Sequence, residues 1–235
     1  MNESESVTEA AKAVQEVAKT TGKAIEVSEK FGGFISKFVT GSLEQAVGIF
    51  EDKLKYMRWE RQVRYMQRVE QLARDVGLSS PTRVIPLKLA IPLLEAASLE
   101  DDDLLQDLWV RLLVNAVDER SHINLQRSYI EILRQLTSLE AKLLQMIYSL
   151  PYEQTLHAGI VTGGLPTHVV AHEDDGRDHD PMEPSIEVKL ALANLARLGF
   201  VVVQKSWGGG EIFKKVNPTL LGMSFVQACT MSSVS

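Results

Sequence analysis

Apolar positions recur three and four residues apart over most of this chain, and the places where that rhythm fails mark its joints. Over 7–29, small side chains at Ala10, Val14, Val17, Ala18, Thr21, Ala24 and Ile25 alternate with lysines and glutamates. So narrow a stripe buries little area, at about 0.8 kcal/mol per methylene. Residues 1–30 are therefore expected to form an amphipathic helix that leans on a partner surface, either its own chain or a second copy. In "KFGGFISKFVTGSLEQAVGIF", Gly32, Gly33 and Gly41 interrupt an aromatic-rich apolar segment. They predict a bend before a longer helix from about Ser42 to Val76, with Ser42 as N-cap and Gly77 as stop.

Pro81 and Pro86 in "SSPTRVIP" predict a loop before "LKLAIPLLEAASLEDDDLLQDLWVRLLVNAVD". There Ser98, three residues ahead of Asp101, resembles a capping arrangement, with acids in the first turn where the helix dipole favours them. Leu105, Leu108, Trp109, Leu112, Leu113, Ala116 and Val117 repeat at helical spacing and are expected to be core. A further helix is predicted over 128–136. Another, capped by Thr137 or Ser138, runs through 139–150 and is expected to end at Pro151.

From Leu139 the pattern changes. The helix 139–150 opens a second unit, 151–184 reads as irregular, and "SIEVKLALANLARLGFVVV" reads as a helix feeding a strand, with Gly199 at the turn. Val201 to Lys205 and Glu211 to Val216, joined across "SWGGG", predict a two-stranded wing whose glycines permit a tight turn. "PTLLGMSFVQAC" closes the unit with a short helix. The predicted fold is thus mainly α with a small β-hairpin: an N-terminal helix over 1–30, a helical region over 31–137, and a winged-helix-like domain over 138–235 carrying an acidic loop at 171–183.

Composition narrows the function classes. With 31 acidic and 25 basic residues the net charge is −6, so any affinity for polyanions has to be local. The single cysteine, Cys229, excludes an internal disulfide and a zinc-type cysteine cluster. The N-terminus lacks a basic region leading into an apolar one, and no window reaches the roughly 18 apolar residues of a bilayer span. A cytoplasmic protein is expected, with peripheral contact at the inner membrane as an option.

The candidate chemistry lies in three places. In "KLKYMRWERQVRYMQR", six basic residues face the single Glu60; Tyr56, Trp59, Val63 and Met66 fall on one side of a helix, and Arg58, Arg61, Arg64 and Arg68 on the opposite side. Arg58, Trp59, Arg61, Arg64 and Arg68 are candidates for binding a protein partner or an anionic membrane surface. The alternative is a solvated face, or arginines paired with the acidic run at 99–107. The second place is the helix from Ser185 to Leu198 with its wing, where Lys189, Arg197, Lys214 and Lys215 would contact phosphates if this unit read DNA. Glu173, Asp174, Asp175, Asp178, Asp180 and Glu183 lie just upstream and would repel a DNA backbone, so DNA is disfavoured. The third is His168, His172 and His179 among those acids. They match neither calcium-loop nor HExxH spacing, so neither metal nor cofactor is expected. The serines lack a GxSxG setting, and glycines 208–210 have no following lysine of the phosphate-loop kind; no catalytic residue is expected.

The segments "DKLKYMRWERQVR", "IPLKLAIPLLEAASLEDDDLLQDLWVRLLVNAVD", "LANLARLGFV" and "TLLGMSFVQAC" follow one another in an order that resembles the bacterial abortive infection alpha family, over roughly residues 30 to 230. The most distinctive pieces are the basic Trp59 segment, the Trp109 helix, and the ending with Thr219, Gly222, Phe225 and Cys229. The resemblance implies a role in phage defence, in which an infected cell stops growing or dies before the phage matures. It carries over no catalytic residue. The expected mode of action is binding, to a protein or to a membrane surface, with a homo-oligomer through the N-terminal helix as a further option and a DNA-binding regulator as the competing class.

Overall fold

The computed structural model describes residues 30, 32–40, 59–172 and 181–231. The expected helix at 1–30, the first part of the helix expected from Ser42, and Arg58 lie outside the described residues, as do 173–180 of the acidic loop.

Residues 32–36 form a helical turn that includes Gly32 and Gly33, so the expected bend falls instead at Lys37 and Phe38. That turn seats Phe34, Ile35 and Phe38 in the core, and the short strand β1 (Val39–Thr40) follows it, pairing in parallel with β2 (Ile85–Pro86). Between them runs helix α1 (Trp59–Asp75), stopped at Gly77, whose positive φ of 68° suits a residue without a Cβ.

After β2 the chain forms α2 (Leu87–Leu99), with Pro92 inside it, and α3 (Asp103–Val117). The structure corrects the cap expected at Ser98. Ser98 is buried within α2 and donates to the Leu94 carbonyl at 2.6 Å, because three residues, Glu100 to Asp102, separate the helices. The N-cap of α3 is Asp102, whose carboxylate accepts from the Leu105 N–H at 3.0 Å. All seven stripe positions of α3 are buried, Leu112, Leu113 and Val117 at 0 % exposure. This helix is the axis of the core and packs against α1, α2 and two helices of the C-terminal half.

Helix α4 (Arg127–Leu133) leads to α5 (Ser138–Ile147). Thr137 caps α5 in a full capping box with Glu140. Pro151 does not end that helix, which stops at Ile147; it is instead the N-cap of a further helix, α6 (Tyr152–Ala158). Nor is 151–184 irregular throughout. It contributes β3 (Ile160–Val161) and β4 (Val170–Ala171), which join β5 (Val201–Lys205) and β6 (Glu211–Pro218) in one antiparallel sheet ordered β4-β3-β6-β5. The expected two-stranded wing is therefore half of a four-stranded sheet. Helix α7 (Ile186–Arg197), capped by Ser185, precedes β5, and α8 (Leu220–Ala228), capped by Thr219, closes the fold.

The buried cluster continues from Phe34 to Cys229 without a break at 137/138. Asn115 of α3, itself buried, donates to the carbonyls of Ala228 and Thr230, both at 2.9 Å, and so ties the end of α8 to the central helix. At the other seam Tyr148 donates to the Phe200 carbonyl and accepts from the Thr219 N–H at 2.9 Å. Gly222 lets it in: a Cβ there would stand 1.8 Å from the Tyr148 hydroxyl.

Candidate interaction surface

Helix α1 shows how the arginine strip is used. On a helical projection the most buried residues, Gln62, Tyr65 and Val69, form a line between the two stripes read from the sequence. Val63 and Met66 flank that line on one side, half-buried; the arginines flank it on the other. They are not opposite the core but beside it, over the start of α3. There Arg61 pairs with Asp101 at 2.8 Å and donates to the Leu99 carbonyl at 2.6 Å. Arg68 holds Asp103 at 2.6 Å and Asp107 at 2.8 Å, and Arg64 stands 3.4 Å from Asp103. Of the two readings of this strip, the geometry is that of arginines paired with the acidic run at 99–107. Trp59 lies at the first position of α1.

The acids that cap the core are pinned by hydrogen bonds. The Ser138 hydroxyl, 2.5 Å away, and the Leu105 N–H hold the Asp102 carboxyl below the usual carboxylate range. The Arg120 guanidinium does the same for Asp118. Burial raises the Tyr65 phenol and the Cys229 thiol, which keeps both protonated and out of solvent.

Helix α7 inverts the expected pattern of a DNA-reading helix. Three of its polar side chains, Lys189, Asn194 and Arg197, are engaged by neighbouring residues. Asn194 donates to Glu140 at 2.6 Å, and Arg197 donates to Asn194 at 2.9 Å and to Gln135 at 3.1 Å. Lys189 Nζ lies 2.9 Å from Glu183 Oε2, an ion pair outside hydrogen-bond geometry. Lys214 and Lys215 are half-buried on β6, and the stem of Lys215 packs over Gly159. To solvent α7 offers two large aliphatic side chains, Ile186 at 74 % and Leu190 at 67 % exposure, beside the exposed Glu187, with Met182 exposed just upstream and Arg197 exposed at the far end. At the hairpin tip Trp207 is fully exposed beside Gly208–Gly210, and the turn is fixed by Ser206, whose N–H donates to the Gly210 carbonyl at 2.7 Å. The sequence did carry this signal: Ile186 and Leu190, four apart, fall on a different face from Val188, Leu192 and Leu195, which are buried.

Of the histidine and acid group, His168 and His172 are described, whereas His179 lies outside the described residues. Among the described residues no cluster of three or more histidines, cysteines or acids has a metal-holding arrangement. No helix among them is long and apolar enough to cross a membrane. A family model described as abortive infection alpha matches residues 60–229, from the start of α1 to the end of α8. No curated protein and no solved structure matches the chain.

Proposed function

Because the chain belongs to the abortive infection alpha family, which points to a role in abortive infection or phage defence, we propose that it acts there without bond-making chemistry, by docking a protein partner on the outer face of α7 and the β5–β6 tip. The exposure of Ile186 and Leu190 carries this reading. Large aliphatic side chains aligned on a helix and left in water are the ordinary mark of an interaction site, and a tryptophan on a tight turn adds a rigid anchor.

A protein fits this face better than an anionic membrane. Glu183 and Glu187 lie beside the aliphatic pair, and the arginines that would draw α1 to lipid are engaged with Asp101, Asp103 and Asp107. A DNA contact through Lys189, Arg197, Lys214 and Lys215 would need those cations released from the partners and packing just described. Structural packing accounts for the perturbed groups, since plain burial raises Tyr65 and Cys229, and the side chains of Ser138 and Arg120 lower Asp102 and Asp118, which is in keeping with a binding role.

The test is a plaque assay in a host with and without the protein, scored for host survival at high phage load, together with flotation on anionic vesicles. Fewer plaques with host death and no flotation are expected. Protection with full host survival would contradict abortive infection, and flotation lost on raising salt would move the target to the membrane surface.

A further inference from the structure

The half-buried flank of α1 borders a groove that the docking face does not involve. Two adjoining hollows of about 370 and 560 Å³ share Phe34, Lys37 and Glu70, and both volumes lie in the range of small-molecule sites, roughly 300–1,000 Å³. The first is floored by Phe34, Phe38, Val69, Ala73 and Leu78. The second continues over Val63 and Met66. From Val63 to Arg74 the track follows α1 for about 16 Å at 1.5 Å per residue, a length that takes most of an extended acyl chain.

Its charged groups sit at the rim. Lys37 is exposed, and Arg74, held at 2.9 Å from Gln71, lines the same hollow, with Glu70 as the only carboxylate on either hollow among the described residues. Ser79 and Ser80 add exposed hydroxyls beside the first hollow. An apolar floor with a rim of three cations (Lys30, Lys37 and Arg74), two hydroxyls and one acid complements a molecule with one hydrocarbon chain and one negative head. We propose that this groove binds a single-chain amphiphile with an anionic head, the chain lying on Phe34, Phe38 and Ala73 and the head meeting Lys37 and Arg74. The site is independent of the α7 face and stands or falls separately from it.

Titration of the full chain with palmitate, by calorimetry and native mass spectrometry, tests this directly. One saturable equivalent is expected, with octanoate weaker by well over tenfold because less chain is buried. Lys37→Glu and Arg74→Glu each weaken palmitate by about tenfold, the scale of one charge-assisted contact. Glu70→Gln tightens it, and Ala73→Trp fills the floor and blocks it. Lysophosphatidylglycerol run in parallel shows whether a carboxylate or a phosphate head binds better. Lys37 is exposed, so its variant remains informative should Ala73→Trp fail to fold. No saturable palmitate uptake overturns the proposal, and so does binding of uncharged cetyl alcohol equal to that of palmitate and unchanged by Lys37→Glu.

Discussion

Two helix faces in this molecule behave oppositely to what their charges suggest. The arginine side of α1 has the more conspicuous sequence, yet the fold consumes it, since Arg61, Arg64 and Arg68 all reach acids at the start of α3. The outer side of α7 has the duller sequence, yet it leaves Ile186 and Leu190 in water while Asn194, Arg197 and Lys189 are engaged by Glu140, Gln135 and Glu183. A run of cations is thus poor evidence of a site where the same chain supplies a matching run of acids. An apolar pair that the core does not cover is better evidence.

The comparison can be broken from its strongest side first. Leu192 and Leu190 sit two residues apart on α7, one at 0 % and the other at 67 % exposure. Leu192→Ala is expected to cost about 2–5 kcal/mol in urea unfolding, and Leu190→Ala no more than about 0.5 kcal/mol. Similar losses at both positions would mean that the outer face is packed after all. Next comes the polar seam: Asn194→Ala leaves one oxygen of the buried Glu140 without its 2.6 Å donor and is expected to cost about 1–3 kcal/mol. A smaller effect follows at α1. Arg68→Ala is expected to lower stability by no more than about 1 kcal/mol, and the loss should shrink in high salt, as it does for half-exposed ion pairs.

The same bookkeeping of charges sets the acid limb of stability. Asp102 and Asp118 are held below the ordinary carboxylate value, so the native state favours their ionised forms. Their contribution is fully present above the unfolded value of about 3.9 and is lost as pH falls through the lower native values. Asp102→Asn should flatten that acid limb in thermal melts, and an unchanged limb would remove Asp102 from the account.

Much of the fold was legible from spacing. The α3 stripe, the stop at Gly77, the Thr137 cap and the ends of β5 rest on strong local signals, namely helical periodicity, cap chemistry and a glycine turn. Ser98 misled because both it and Asp102 carry capping side chains, and tertiary packing decided between them: Ser98 faces the core and bonds back to Leu94. Strands β3 and β4 span two residues each, too short for any alternation to show; β3 forms on the edge that β6 offers, and β4 adds to β3. On α1 the two stripes were visible, but the core line of Gln62, Tyr65 and Val69 between them was not, since a buried glutamine does not read as apolar. The exposed pair on α7 was written in the sequence and lay unnoticed beside the charges of the acidic loop.

The central claim, that the apolar outer face of α7 does the docking and the arginine strip of α1 does not, is tested most directly by phage plaque counts with two variants. One carries Ile186→Glu and Leu190→Glu; the other carries Arg61→Gln, Arg64→Gln and Arg68→Gln, and thermal melts confirm that both fold. Loss of protection in the first with protection kept in the second is the expected result. Protection kept in the first and lost in the second would contradict the account.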